Sequence, residues 1–497
     1  MTAMENLLRV LQYNPVEPMI FSSGVFLWLF LAFTFVYMLL QRKMTARLVF
    51  VTLFSYFFYY KSSGVYFLLL AAVTVSDWLI GRWMGRVVER EPDNRRKAGW
   101  LVALSVTIDL SLLAYFKYTN FFLGSLSQII GNNFQPLDIF LPVGISFFTF
   151  QSLSYTIDVY RREIRPLDSL LDYAFFVSFF PQLVAGPIVK ARDFVPQIRK
   201  PLQITRRMFG MGVYLIMIGL FKKAVISDYI SINFVERVFD QPAMFSGVEV
   251  LLGVYGYALQ IYCDFSGYSD MAIGIALLLG FRFPMNFNAP YRSVSVTDFW
   301  RRWHISLSTW LKQYLYISLG GNRRGKARMY ANLMLTMLLG GLWHGASWNF
   351  ILWGGMHGLA LCAHKLFSQE IMHHGRRYTS SGWKRAGAVI LTFHFVCLCW
   401  IFFRSSDLDT SITVISQIAG NLHPELLPQV VTGYPWVFGL MALGFSTHFL
   451  PDRWQTHIVA RISKANVMAG AAMIAVVIYI VIQVKSSEIQ PFIYFQF

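Results

Sequence analysis

Apolar runs close to the thickness of a bilayer recur along most of this chain, separated by short polar or basic loops. A helix needs ~20 mainly apolar residues to cross hydrocarbon. Runs at 20–40, 48–60, 65–80, 101–115, 140–157, 209–221, 248–262, 329–343, 348–366, 386–403, 436–450 and 467–484 approach that length. They predict an all-α polytopic membrane protein, with about 11 transmembrane helices. Up to about residue 163 the pattern is long apolar helices and short loops. From 167 onward Gly, Pro and polar residues enter the runs, as at 175–187, 264–274 and 283–291. Such stretches predict broken, re-entrant or interfacial helices, which membranes tolerate only around protein or a wet cavity. Their concentration over 175–350 predicts an internal cavity or funnel. No soluble domain and no internal repeat stand out, so residues 1–497 read as one domain.

Composition agrees with that pattern. The chain is 56% hydrophobic and 14% charged, outside the soluble range. Its 43 Lys and Arg exceed its 26 Asp and Glu, for a net +17. No soluble domain concentrates the excess, so nucleic acid is not an expected partner, and positive-inside loop charge accounts for it. Basic loops at 42–47, 82–97, 161–165, 190–207, 323–328, 376–385 and 453–464 are expected on the cytoplasmic face. This places the N-terminus and the tail 485–497 outside, in a cytoplasmic (inner) membrane. The run at 20–40 reads as a first span rather than a cleaved signal. The four cysteines and scattered histidines show no disulfide or zinc spacing, so no metal and no bound cofactor are expected.

Two histidines carry the candidate chemistry. His304 lies in Asp298-Phe-Trp-Arg-Arg-Trp-His304, on an expected helix capped near Thr297 that places His304, Ser308 and Leu311 on one face. His344 lies in Trp343-His-Gly-Ala-Ser-Trp348, where an apolar helix is expected to end. Gly340, Gly341 and Gly345 clear space around it, Trp343 and Trp348 are candidate walls, and Ser347 and Asn349 are candidate polar partners. Imidazole is the usual proton-handling group near neutral pH, and one in a membrane segment is a functional-site hypothesis. Each histidine also has a plain reading as an interfacial or inter-helix hydrogen-bonding group. His357, His364, His373, His374 and His394 read as structural. Arg323, Arg324 and Lys326 form a basic loop, either a positive-inside anchor or a contact for donor phosphates. Asp77, Asp109, Asp264 and Asp270 either pair with Lys117 or arginines, or line the cavity.

Five ordered segments resemble the membrane-bound O-acyltransferase superfamily, in the branch that includes alginate O-acetylation and teichoic acid D-alanylation proteins. They are Phe179-Phe-Pro-Gln-Leu-Val-Ala-Gly-Pro187, Asp264-Phe-Ser-Gly-Tyr-Ser-Asp270, Asn286-Phe-Asn-Ala-Pro-Tyr291, Asp298-Phe-Trp-Arg-Arg-Trp-His304 and Trp343-His-Gly-Ala-Ser-Trp348. The resemblance implies a ring of helices around a central tunnel, with a catalytic region near 175–360. It implies His344 as the catalytic histidine and His304 as the second, on the cytoplasmic donor side. Trp303, Ser308, Trp343, Ser347, Asn349, Asp264, Asp270 and Asn286 are then candidate lining residues. The chain's Phe492, Tyr494 and Phe497 match a Phe-x-Tyr-x-x-Phe pattern of acyl-export systems. Tyr494 becomes a candidate acyl acceptor, with an interfacial aromatic tail as the alternative. The expected function is transfer of acetyl from a cytoplasmic donor such as acetyl-CoA, for O-acetylation of an exopolysaccharide such as alginate. Expected partners are an extracytoplasmic acetyltransferase, the polysaccharide acceptor and membrane lipids. D-alanyl transfer to teichoic acid and a non-enzymatic polysaccharide or lipid transporter are the alternatives.

Overall fold

The computed structural model describes residues 11–15, 18–90, 95–131, 133–184, 186–368 and 381–484. Among them the secondary structure is helical, with no strand. The chain divides into two compact units, one of residues 1–213 and 271–284, the other of 214–270 and 285–497.

The first unit begins with α1 (Gly24–Leu39), α2 (Met44–Ser63) and α3 (Phe67–Arg90). Residues 44–90 form one apolar helical stretch, yet it is two helices folded back at Gly64. Gly64 has φ +60° and ψ −138°, a conformation open to glycine. The Tyr56 hydroxyl reaches Thr74 Oγ1 at 3.2 Å across this turn, though 18 residues along a straight helix would separate them by about 27 Å. α4 (Arg95–Leu113) and α6 (Ile145–Tyr160), with α5 (Thr119–Ile130) between, pack beside α3. The shared core here is polar: the Ser105 hydroxyl donates to Asp77 at 2.7 Å and lies 3.2 Å from Thr156 Oγ1. α7 (Leu170–Ser178) ends at Phe179, where the predicted break in 175–187 falls. Phe175, Phe179, Phe194 and Phe281 pack there with ring centroids 5.0–6.1 Å apart, Phe194 coming from α8 (Ala191–Ile198).

Past α9 (Arg206–Leu220) the helix widens into a π-helical turn, Phe221–Ser227. Within the second unit this turn faces α10, and the contact corrects an expectation. Residues 264–274 were expected to break, but α10 (Gly247–Leu278) is continuous over 32 residues. Its polar side chains serve ion pairs instead. Lys222 meets Asp270 at 2.8 Å, and Lys223 lies 2.6 Å from Asp264 and 2.7 Å from Asp228. A buried charge held this way is matched by its partner rather than by water. A Cβ on Gly267 would lie 2.7 Å from the Gly219 carbonyl, so a larger residue would push the two segments apart.

After α11 (Val296–Arg302) and α12 (Ile305–Trp310) comes a helical hairpin, α13 (Lys326–His344) and α14 (Trp348–Leu366). Its helices touch backbone to backbone: a Cβ on Gly341 would lie 2.2 Å from the Phe350 carbonyl oxygen, and one on Gly354 2.4 Å from that of Met337. α15 (Gly382–Arg404) packs on α14, and α16 (Leu408–Gly420) follows.

Among the described residues, four helical stretches are long and apolar enough to cross a membrane: Met44–Arg90, Arg95–Ile130, Arg206–Asp240 and Gly382–Arg404. A fifth is possible if Pro424–Gly433 and Pro435–Thr447, bent by 98°, form one span. This is fewer than the expected eleven or so. Gly24–Leu39 is apolar but shorter, and α10 carries the ion-paired carboxylates described above.

Candidate active site

His304 is held differently from the expectation. α11 starts after Ser295, whose hydroxyl accepts from Asp298 N at 3.1 Å, so Ser295 rather than Thr297 is the cap. The Thr297 hydroxyl instead meets His364 Nδ1 at 2.9 Å. α11 ends at Arg302, Trp303 is extended, and His304 adopts the left-handed conformation at φ +41°, ψ +56°. His304 therefore sits at a break between two helices, not on a shared face with Ser308 and Leu311.

The break follows from where the backbone donors go. Ile305 N donates to the Asn286 carbonyl at 2.9 Å, and Ser306 N and Oγ both donate to Asn286 Oδ1, at 3.2 and 2.9 Å. Asn288 N donates to the Arg302 carbonyl at 2.9 Å. The 286–288 segment thus replaces the intrahelical bonds lost at the break. Asn286 Nδ2 donates in turn to Ser269 Oγ on α10 at 3.0 Å. Asn286, a candidate lining residue, is the clamp that sets the His304 backbone.

His344 matches the expectation of a helix end: it is the last residue of α13. A Cβ on Gly345 would fall 2.0 Å from the Phe350 ring, so the chain leaving His344 passes against that ring. The His344 imidazole contacts Trp343 and Trp353 at 5.0 Å each and Phe403 at 5.2 Å, all edge-on. Trp348 is more than half exposed at 53%, while Trp353 and Phe403 are buried. Those two walls were not singled out in the sequence, where each is one aromatic among many in an apolar run.

The two imidazoles meet. Their ring centroids lie 6.4 Å apart, with His304 fully buried and His344 only 3% exposed. Trp343 lies 6.1 Å from the His304 ring, and Phe265 of α10 closes its other side at 4.6 Å. Buried Trp303 stacks on Phe299 at 5.5 Å. Behind the pair, Trp353 lies 4.8 Å from His357. His357 Nδ1 accepts from Trp300 Nε1 at 3.3 Å, which makes it the neutral tautomer with its proton on Nε2.

Other candidate residues fall elsewhere. Asp264 and Asp270 pair with Lys223 and Lys222, partners not expected for them. The Asn349 amide donates to the Ser405 carbonyl at 3.0 Å, tying α14 to the end of α15. Ser308 Oγ donates to the Trp303 carbonyl at 3.4 Å, and Ser347 is half-buried ahead of α14. Arg323, Arg324 and Lys326 are exposed at the start of α13, the opposite end of that helix from His344. Tyr494 lies outside the described residues.

Among the described residues the chain is helical, with several membrane-length apolar stretches and two buried imidazoles in contact range, both in helix-interrupting motifs. Residues 146–402 match the membrane-bound O-acyltransferase family, and the chain belongs to it. It is an acyltransferase of that family. It is 37% identical over 502 residues to the probable alginate O-acetylase of Pseudomonas putida, covering 96% of this chain and all of that one. The corresponding protein of Pseudomonas aeruginosa is 43% identical over 398 residues, 79% of this chain and 73% of its own. The peptidoglycan O-acetyltransferase of Helicobacter pylori is 38% identical over 432 residues, 81% and 80% of the two chains.

Proposed function

We propose that this acyltransferase moves an acetyl group from a cytoplasmic thioester, acetyl-CoA, toward a hydroxyl of an exported glycan such as alginate. The observation that carries the reading is the meeting of His304 and His344 as buried rings 6.4 Å apart. The names of the relatives, alginate O-acetylase and peptidoglycan O-acetyltransferase, agree in acetyl and differ in glycan.

In this reading His344 is the general base. One of its ring nitrogens takes the proton of the acceptor hydroxyl as the oxygen bonds to the thioester carbonyl carbon. The carbon–sulfur bond then breaks, and the imidazolium returns the proton to the leaving thiolate. His304 faces the donor side and orients the thioester. The aromatic walls exclude water, which otherwise competes as acceptor. Lys326 lies about 27 Å along α13 from His344, with Arg323 and Arg324 just before it in the chain, so donor phosphates held there require a long arm to the thioester. Trp303 and Trp343 line the path between donor and acceptor. Tyr494 is the proposed first acceptor on the outer side, passing acetyl to an extracytoplasmic acetyltransferase. Both termini then lie outside an inner membrane.

The test is the O-acetyl ester content of the cell's exported polysaccharide with wild type and with His344→Ala at equal membrane levels. Loss of ester with normal polymer secretion supports acyl transfer, and unchanged ester rejects it. Loss of polymer secretion itself turns the assignment to a transporter. Tyr494→Phe, folded and at equal level, is expected to abolish export of acetyl, and unchanged export removes Tyr494 from the path.

A further inference from the structure

Arg47 begins with a sequence fact: it follows the first apolar run in a basic loop, at a position where solvent normally surrounds the charge. In the structure it is 2% exposed. A guanidinium carries five N–H donors and stays charged in proteins. Arg47 spends them poorly: Nη1 reaches the Gln41 carbonyl at 3.4 Å, Nη2 lies 3.1 Å from Met44 Sδ, and the group sits 5.9 Å from the Tyr37 ring. Among the described residues no carboxylate pairs with it. A buried charge without a counter-charge is costly, unless an anion joins it.

Arg47 lines a cavity of about 340 Å³ in the first unit. Lys200 and Arg282, both exposed, line the same cavity, and among the described residues neither has a carboxylate partner. The acids on adjoining helices are committed elsewhere, Asp193 to Lys190 at 3.3 Å and Asp172 to Arg199 at 2.8 Å. Three full positive charges outweigh the roughly half negative charge that each nearby helix C-terminus contributes.

The walls are built rather than loose. Gln197 Oε1 accepts from Arg282 N at 2.9 Å and its Nε2 donates to the Arg282 carbonyl at 3.1 Å, which fixes the Arg282 backbone. Tyr37 donates to the Leu279 carbonyl at 2.6 Å. Gly280, at φ +86°, turns the chain where a Cβ would strike Leu202 at 2.4 Å. Arg47 lies in the first turn of α2 and Lys200 just past α8, and the charge pattern assigns the basic segments 42–47 and 190–207 to one membrane face.

We propose that this cavity is a phosphate-binding site, with Arg47 at its base and Lys200 and Arg282 at its mouth. Guanidinium and ammonium groups converging without carboxylates suit a phosphate mono- or diester. Two sources share that chemistry: the headgroup of an anionic phospholipid, and the phosphates of a soluble acyl donor. The site shares no residue with the 323–328 loop, and it stands whether or not His344 acts as a base.

The test uses the purified full-length protein in non-ionic detergent. Inorganic pyrophosphate is titrated by calorimetry, and phosphatidylglycerol retention, against phosphatidylcholine, is read by native mass spectrometry. The Lys200→Ala/Arg282→Ala double variant changes only exposed side chains and is expected to fold. It should weaken binding of the operative probe by about tenfold or more, the loss expected for a charged hydrogen bond. Arg47→Gln should do the same, with melting temperature as its fold check. Pyrophosphate binding lost in the variants marks a soluble donor, and phosphatidylglycerol retention lost alone marks a lipid headgroup. Either result supports the site. No binding of either probe by wild type, or binding unchanged in the double variant, overturns it. So does binding lost only in Arg323→Ala/Arg324→Ala.

Discussion

The two histidines stand side by side but are held by opposite means. His304 is placed by polar contacts: one asparagine side chain and its backbone gather the donors freed by a helix break. His344 is placed by shape: a hairpin with glycines at its contact, and aromatic edges against the ring. Hydrogen bonds fix direction, and removing one member leaves a buried group unsatisfied. Close packing fixes distance and gives way when volume is added. A two-imidazole site built in both ways should fail in two distinguishable ways.

The largest effect expected is on chemistry. His344→Ala should lower acyl transfer by about 10²–10⁴-fold with the melting temperature little changed, measured as ester formed by membranes of equal protein content. A drop below tenfold would remove His344 from proton transfer and end the contrast drawn here.

Added volume comes next. Gly341→Ala puts a methyl 2.2 Å from the Phe350 carbonyl, a backbone atom that cannot swing away. We expect about 1–3 kcal/mol of destabilisation, seen as a lower melting temperature in detergent. Transfer should fall beyond what the folded fraction explains, because a shift of about 1 Å at a catalytic group can cost ~10²-fold. A variant with normal stability and rate would show that the hairpin contact does not set the His344 position.

Asn286 probes the polar side. Asn286→Ala strands the Ser306 donors and should cost about 1–3 kcal/mol. Asn286→Asp keeps acceptor oxygens for Ser306, and the Ser269 hydroxyl can turn to donate to it, but it buries a carboxylate, so it should recover only part of the activity lost in the alanine variant. Equal loss of activity in both, with Asn286→Asp melting as the wild type does, would mean that acceptance from Ser306 does not hold the break.

The smallest effect is expected for Trp353→Phe. Its ring edge borders both His344 and His357. Trp353→Phe keeps an aromatic wall and should change transfer by less than tenfold, whereas Trp353→Ala opens a cavity and should cost about 3–5 kcal/mol. If Trp353→Phe instead abolished transfer, the indole N–H would have a direct role.

Helices and family were legible in the sequence because apolar periodicity and several ordered motifs survive in a single chain. Most predicted spans fall on helices, and the end of α13 at His344 was readable from the glycines around it. The His304 break was not readable. Nothing in Asp298 to Ser308 is a helix breaker, and the cause, Asn286, lies in a different segment. The continuity of α10 was misread for a related reason. Asp264 and Asp270 look disruptive in an apolar run until Lys222 and Lys223 are placed beside them. Non-local partners, not local composition, decided both cases.

The φ of His304 also dictates how that residue can be interrogated. In the left-handed region a side chain with a Cβ pays roughly 1–2 kcal/mol, and Asn tolerates the region better than Ala. An alanine scan at position 304 therefore removes an imidazole and burdens the turn in one stroke, and its result confounds reactivity with conformation. His304→Asn keeps a polar group suited to the turn while deleting the basic nitrogen. It is the cleaner knock-out, and a gap between the two variants' rates would read out the backbone's share.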